Sequence, residues 1–177
     1  ALHLPCAYVA MIASWMSGWH GWQYLQKRTL IEDAKSNSGA GLALLFCFLT
    51  TATGSIFAHI QWGEFWNWDP RETSVFLLML IYCAYFVLRG SVEDTEKRAS
   101  LSAVFAIFIA VMTPLLGYVI PKYLLSNHPV NAEFSPNYRM AIYMGVLPPL
   151  LGMMFWIQSI ASRLDRARLS LEEVDYN

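Results

Sequence analysis

The chain has 177 residues, of which 56% are hydrophobic and only 14% are charged, and its net charge is −1. In soluble domains about a quarter of all residues are charged, so this composition excludes an ordinary soluble domain. With no basic stripe it also argues against a nucleic-acid-binding protein. Because the apolar residues are gathered into long runs, we predict an all-α, polytopic membrane helical bundle.

Five apolar runs are long enough for membrane-spanning helices, which need about 20 mostly apolar residues each. They extend from about Pro5 to Tyr24, Ser38 to Ile60, Thr73 to Leu88, Leu101 to Ile120, and Ala141 to Ser162. The prolines inside the last two runs predict kinks, and neighbouring helices can satisfy the backbone carbonyls that the kinks leave without a hydrogen bond. We expect a single domain over residues 1–177, and a longer protein of which a part is missing at the N-terminus.

The basic residues predict the topology, because Lys and Arg collect on the cytoplasmic side. If the first connection, the third connection and the tail share one side, that side holds nine of the 12 Lys and Arg residues. Only Arg71, Lys122 and Arg139 remain for the other side. We therefore predict an outer N-terminus, a cytoplasmic C-terminus, and two outer loops at about 61–72 and 121–140.

The first outer loop is an unusually aromatic segment, which reads WGEFWNWDPRET from Trp62 to Thr73. It is too polar to cross a bilayer and too aromatic for a solvated linker. One interpretation is an aromatic belt, since Trp and Tyr collect at membrane interfaces. The other is a binding surface for a flat, apolar, anionic ligand such as haem, on which rings stack while Arg71 meets a carboxylate.

The end of this loop also has the pattern of a helix start. Asp69, Pro70 and Glu72 occupy the N-cap, N1 and N3 positions of the third span. A capping role for Asp69 competes with a ligand role, and Arg71 is either a ligand partner or a surface charge beside the cap.

Histidines are the candidate metal ligands. His3 and His128 both fall on the predicted outer side, where two neutral imidazoles could bind a haem iron from opposite faces. His20 is predicted to lie in an aromatic belt. His59 ends the second span and is interpreted as a core or supporting residue.

The chain lacks the residues that several other functions would require. No carboxylate or lysine lies within a predicted span, which argues against proton relays and ion-coupled transport. The sequence has neither a CxxC nor a CxxCH motif, so a dithiol pair and covalent haem are excluded. The three cysteines are expected to be buried, inert thiols.

The Trp-rich segment resembles the WWD signature of the CcmC/CcsA family, which handles haem in cytochrome c biogenesis. The matching residues are Trp62-Gly63-x-x-Trp66-x-Trp68-Asp69, with the flanks Thr53-Gly54-Ser55 and Pro70-Arg71-Glu72-Thr73. The opening Leu2-His3-Leu4-Pro5 is similar to the family's His-x-Pro stretch, and His128 has the position of its second outer histidine. The resemblance covers essentially the whole chain.

This resemblance implies a haem b held transiently and without covalent bonds at the outer face of a bacterial inner membrane, in the periplasm. Trp62, Trp66, Trp68 and Asp69 would form the platform, and His3 and His128 would be the axial ligands. Arg71 is our candidate for a propionate partner. The implied partners are other cytochrome c maturation subunits and either a periplasmic haem chaperone or apocytochrome c.

The branch of the family is left open by the sequence. The chain is short, as CcmC, a haem-delivery protein, is. The sequence WNWDPRET, however, is closer to CcsA, which attaches haem to apocytochrome thiols. CcmC-like proteins have a further span before the first histidine, and CcsA-like proteins have further histidines within spans. A different class of function also fits: a noncatalytic assembly subunit whose Trp-rich loop docks a partner protein.

Overall fold

The structure, a computed structural model, describes residues 2–124 and 134–175, and within these ranges it contains helices and no strand. The helices are α1 (His3–Lys27), α2 (Leu30–Trp62), α3 (Pro70–Ser91), α4 (Thr95–Pro114), α5 (Ile120–Tyr123), α6 (Pro136–Met140) and α7 (Leu147–Asp175). A π-helical turn at Leu115–Val119 joins α4 to α5, and another at Ala141–Val146 joins α6 to α7. Each predicted span lies within one of these helical segments, so the predicted all-α bundle is confirmed.

Four helical segments in the described ranges are long and apolar enough to cross a membrane: Leu30–Trp62, Pro70–Ser91, Thr95–Tyr123 and Pro136–Leu164. Their outward faces carry large apolar side chains, such as Val87 and Phe48, which are 72% and 60% exposed. Exposed apolar side chains on this scale are expected where lipid replaces water as the solvent. The chain is therefore a multi-pass membrane protein.

The first helix differs from the other four. Although α1 has 25 residues, it does not reach the hydropathy of the other segments. It packs extensively against α2 and α4 and also contacts α7. Because neighbouring helices cover much of its surface, α1 needs a less apolar composition than a helix that faces lipid on most sides.

Small residues allow α1 to approach its neighbours closely. A Cβ atom added at Gly39 of α2 would lie 3.1 Å from the Ser17 backbone of α1. A Cβ atom at Gly18 would lie 2.5 Å from the Cβ of Ala110 in α4. Close backbone approach at small residues is the usual basis of helix association in membranes. A buried hydrogen bond of 2.7 Å between the Ser14 and Thr113 hydroxyls adds a polar link between α1 and α4.

Both π-helical turns lie directly before prolines. Leu115–Val119 precedes Pro121, and Ala141–Val146 precedes the pair Pro148-Pro149. A proline cannot donate the usual helical hydrogen bond, so the preceding turn widens instead. Of the prolines for which the sequence predicted kinks, Pro114 ends α4 directly before one π-helical turn, and the pair Pro148-Pro149 follows the other.

The end of the bundle opposite His3 is held together by polar contacts. Arg89 of α3 donates two hydrogen bonds of 2.6 and 2.8 Å to the buried carboxylate of Asp33 in α2. Arg28, which follows α1, donates to the Ser100 hydroxyl of α4 at 2.8 Å. The first and third connections therefore lie at the same end, as the distribution of basic residues predicted.

The packing of α1 on α2 yields a test that uses two nearby glycines. Gly39→Ala should destabilise the protein by about 1–3 kcal/mol, because the added methyl group meets backbone atoms that cannot move aside. Gly41→Ala is the matched control, because its nearest neighbour is the tip of Phe86 at 3.8 Å. The measurement is thermal unfolding in detergent, followed by tryptophan fluorescence. Equal unfolding temperatures for the two variants would contradict the close approach.

Candidate functional site

The Trp-rich loop (residues 61–72) turns the chain from α2 into α3. The helix α2 ends at Trp62 and is capped by Gly63, whose φ of 85° is accessible to glycine and whose N–H donates to the His59 carbonyl at 2.9 Å. Trp68, just before α3, also has a positive φ, of 61°. For a bulky residue this conformation is strained, and such strain often accompanies a functional constraint.

The cap of α3 fixes the C-terminal half of the loop. The buried carboxylate of Asp69 accepts the Arg71 N–H at 2.9 Å, and Pro70 takes the first helical position. Glu72 accepts the Asn67 N–H at 3.1 Å, while the Asn67 side chain accepts the Asp69 N–H at 3.0 Å. The predicted capping arrangement is confirmed, except that Glu72 reaches past Asp69 to Asn67.

The rings of the loop pack edge to face. Trp66 lies 5.7 Å from Trp68 and 6.1 Å from Phe76, with near-perpendicular planes in both pairs. This geometry favours contact between the positive edge of one ring and the negative face of the next. Trp66 is half-buried, whereas Trp68 is 70% exposed. Trp62 packs at 6.0 Å against Phe57, on a different part of the loop.

His3 lies at the first turn of α1 and faces α2. Its Nδ1 is 2.9 Å from the Thr50 carbonyl oxygen. Because a carbonyl only accepts, Nδ1 carries the proton, and a neutral imidazole then keeps its lone pair on Nε2. A Cβ atom at Gly54 would lie 2.8 Å from Cε1 of this ring. Gly54 therefore provides the space in which the imidazole lies.

A cavity of about 440 Å³ opens between these elements. His3, Trp66 and Arg71 all line it, so it joins α1, the Trp-rich loop and α3. The two π-helical turns contribute Tyr118 and Tyr143. A concave, mostly apolar site with a few convergent polar groups is the usual form of a ligand site.

Arg71 is the one Lys or Arg side chain among the described residues that line this cavity. Its Nε atom is buried and has no hydrogen-bond partner among the described residues. A buried guanidinium donor without a partner is costly, and a carboxylate is the group that best satisfies its planar geometry. The cavity therefore presents an imidazole and a guanidinium to the same space.

Some of the site residues predicted from the sequence line the cavity in the structure, and others do not. His3, Trp66 and Arg71 line the cavity. Trp68 packs on Trp66, Asp69 caps α3 and Trp62 packs on Phe57, and none of these three lines the cavity. His128 lies outside the described residues. Sequence reasoning missed the tyrosines of the cavity and the contact of Gly54 with His3. The tyrosines are far apart in the chain, and no local pattern would have brought them together.

The other two histidines lie away from the cavity. His59 is exposed at the end of α2, stacks on Phe65 at 4.1 Å, and lies 3.2 Å from the Gly63 carbonyl through Nδ1. The sequence suggested a core or supporting role, and its exposure shows that it is not a core residue. His20 is held at 2.7 Å by the carboxylate of Glu32. This hydrogen bond links α1 to α2, and the place of His20 in an aromatic belt stays a prediction.

This fold and site define a polytopic helical membrane protein with a cavity that several aromatic side chains line. The chain belongs to the heme exporter protein C (CcmC) family, whose family model matches residues 1–175.

Individual relatives agree with this family. The chain is 27% identical to heme exporter protein C of Bradyrhizobium diazoefficiens, over 73% of this chain and 49% of that protein. It is 31% identical to a putative cytochrome c biosynthesis ccmC-like mitochondrial protein of Arabidopsis thaliana, over 85% of this chain and 55% of the relative. A cytochrome c biogenesis protein CcsA of Prochlorococcus marinus is 38% identical, over 34% of this chain and 19% of its own length. The chain spans about half the length of the heme exporter relatives it matches.

The cap of α3 can be separated from any role of the Asp69 charge. Asp69→Ala should cost about 1 kcal/mol of stability, because the N–H of Arg71 loses its acceptor, whereas Asp69→Asn should cost far less, since Asn caps as well as Asp. Thermal unfolding of the purified variants measures the difference. If Asn were as destabilising as Ala, the carboxylate would have a role beyond the cap.

Proposed function

We propose that this chain is a haem-binding membrane protein of cytochrome c maturation, which holds haem at the outer membrane face and delivers it to a haem chaperone or to apocytochrome c. The observation that carries the proposal is the cavity that brings His3, Trp66 and Arg71 together. Family membership supports it, because the relatives are named as heme exporters and cytochrome c biogenesis proteins.

The cavity residues fit haem chemically. Haem is a flat, apolar macrocycle with an iron at its centre and two carboxylates on one edge. Tyr and Trp side chains can pack against the macrocycle, the Nε2 lone pair of His3 can bind the iron, and Arg71 can meet a propionate. The hydrogen bond from His3 to the Thr50 carbonyl holds the ring in the tautomer that ligation requires.

In this proposal, His128 is the second axial ligand. The two imidazoles would coordinate the iron of a haem b. Because the sequence has no CxxC or CxxCH motif, no thioether bond would attach the haem, which therefore stays releasable. Trp62, Trp68 and Asp69 would act as the platform around Trp66. Lys122 and Arg139 are secondary candidates for the propionates.

The same proposal fixes orientation and location. The cavity end would face the periplasm and the basic end the cytoplasm of a bacterial inner membrane, with residues 1–177 as one domain among the other maturation subunits. Delivery alone would make the chain a binding protein, and ligation to apocytochrome thiols would make it part of a haem lyase.

One observation favours a second candidate function, a noncatalytic subunit whose loop docks a partner protein. Trp68 and Phe65 are 70% and 58% exposed, so the loop presents aromatic surface outside the cavity. Aromatic side chains of this kind often anchor protein interfaces. This candidate requires neither His3 nor His128, and that difference separates the two.

The axial histidines give the first functional test. His3→Ala and His128→Ala should each lower the haem content of the purified protein and prevent cytochrome c assembly in cells that lack the native protein. His59→Ala is the control, because His59 is exposed and does not line the cavity. Haem is measured by the pyridine haemochrome method, and cytochrome c by haem staining of membranes. Wild-type values for both His3→Ala and His128→Ala would leave only the docking function.

The two neighbouring tryptophans should differ. Trp66→Ala should weaken haem retention about tenfold, or ~1.4 kcal/mol, because Trp66 lines the cavity. Trp68→Ala should have a smaller effect, since Trp68 does not line the cavity and packs on Trp66. Haem loss to apomyoglobin measures retention, with the exposed Trp156 of α7 replaced by Ala as the control. If neither loop variant lost haem faster, the loop would be an aromatic belt.

A further inference from the structure

A groove runs along the outside of the bundle, at the seam between α1 and α4. It encloses about 590 Å³, and none of its described lining residues belongs to the cavity that contains His3. One wall is made of tryptophans and the other of aliphatic side chains: Trp15, Trp19 and Trp22 against Ile107, Val111 and Leu115. Between the walls, a Cβ atom added to Gly18 would lie 2.5 Å from the Cβ of Ala110. The two helices therefore touch at the floor of the groove.

The three tryptophans extend further than an aromatic belt requires. They lie on one face of α1, because their spacing is i, i+4 and i+7, and they are 49% to 59% exposed. Seven residues separate Trp15 from Trp22, which corresponds to about 10 Å along the helix axis. A belt collects tryptophan at the level of the lipid headgroups. It does not account for a stripe that runs this far along a helix.

A cation closes one end of the same seam. Arg28 donates a hydrogen bond of 2.8 Å to the Ser100 hydroxyl of α4, and its Cζ lies 5.9 Å from the centre of the Tyr24 ring of α1. Ser100 shares a face of α4 with Ile107 and Val111, because it precedes them by seven and eleven residues. Arg28 therefore bridges the two helices that form the groove.

The backbone of Arg28 has a conformation that favours glycine. Arg28 caps α1 with a φ of 53°, and its N–H donates to the Tyr24 carbonyl at 2.7 Å. For a residue with a side chain this conformation is strained, and such strain is a reason to look for a function of that side chain. No described carboxylate forms an ion pair with Arg28. Its remaining N–H groups can therefore bind an anion from outside the protein.

The charges around Arg28 are unequal. The end of α1 and the start of α4 carry four cations and three carboxylates: Lys27, Arg28, Lys97 and Arg98, with Glu93, Asp94 and Glu96. Asp94 is engaged by the cap of α4, where it accepts the Lys97 N–H at 2.7 Å. Positive charge is therefore in excess where the seam ends.

The distance from this cation to the groove matches one leaflet of a bilayer. Ser100 and Val111 are eleven residues apart, which corresponds to about 16 Å of helix. The hydrocarbon core of a bilayer is about 30 Å thick, so one leaflet contributes about 15 Å. A phospholipid whose phosphate lies beside Arg28 can therefore place an acyl chain along the groove.

We propose that the seam between α1 and α4 is a binding site for an anionic phospholipid. Arg28 binds the phosphate, and Lys97, three residues before Ser100 on the same helix face, adds a second cation. One acyl chain lies between the tryptophans and the aliphatic wall. A zwitterionic lipid binds less well, because its headgroup brings a cation next to Arg28.

A transmembrane helix of another protein suits this groove less well. Helix interfaces in membranes are rich in small and hydrogen-bonding residues, whereas large apolar side chains form both walls here. The lipid site also shares no residue with the His3 cavity, so it is independent of the proposed haem function.

Quenching of tryptophan fluorescence by brominated lipids tests the site. Protein in phosphatidylcholine vesicles receives the same fraction of either brominated phosphatidylglycerol or brominated phosphatidylcholine. The quenching of Trp19 is the part that is lost in Trp19→Phe. Phosphatidylglycerol should occupy the groove about fivefold more tightly than phosphatidylcholine, as one cation at a membrane surface allows. Arg28→Gln should abolish this preference, and Arg28→Lys should retain part of it.

Arg163→Gln is the matched control, because Arg163 is an exposed arginine of α7 that does not contribute to the groove. It should keep the preference for phosphatidylglycerol. Equal occupancy by the two lipids in the wild type, or a preference that survives in Arg28→Gln, would overturn the headgroup site. If neither lipid quenches Trp19, another protein chain covers the groove, and the lipid site is refuted.

Native mass spectrometry gives a second measurement that needs no variant. Wild-type protein from vesicles of equal phosphatidylglycerol and phosphatidylcholine should retain phosphatidylglycerol preferentially after transfer to detergent. Retention of both lipids in equal amounts, or of neither, would contradict the proposal.

Discussion

The close approach of α1 to α2 is the constraint on which the bundle and the cavity both depend. In the middle of the pair, Gly39 lies against the backbone of Ser17. Near the end of the pair, Gly54 leaves the space in which the His3 ring contacts the Thr50 carbonyl. Glycine at both places brings the helix axes together, so the imidazole is held by backbone rather than by a flexible side chain. A larger residue at Gly54 would displace the group that faces the cavity.

The cavity itself depends on the widened turns and on the cap of α3. Prolines replace ordinary helix by π-helical turns at Leu115–Val119 and Ala141–Val146, and these turns supply Tyr118 and Tyr143. The Asp69 cap aligns the first turn of α3, which places Arg71 beside Trp66. The result is a cavity in which His3, Arg71 and Glu72 share the lining with apolar and aromatic side chains.

Much of this arrangement followed from local sequence signals. Apolar runs of about 20 residues predicted the five helical segments, and Asp69 with Pro70 predicted the start of α3. The aromatic loop supplies Trp66, Arg71 and Glu72 to the lining of the cavity. The division of the loop, with Trp66 in the cavity and Trp68 outside, depends on tertiary packing and on the positive φ of Trp68. The same holds for Tyr8, Tyr118 and Tyr143, which come from three separate segments, and for the central position of α1.

The most direct test of the account is the spectrum of the iron. Absorption spectra are recorded for oxidised and reduced wild-type protein, and for the double variant His3→Ala, His128→Ala before and after addition of imidazole. The account predicts a low-spin, bis-imidazole spectrum in the wild type, its loss in the double variant, and its recovery when free imidazole occupies the vacated positions. A wild-type protein that is purified without haem and takes up none when haem is added would contradict the account.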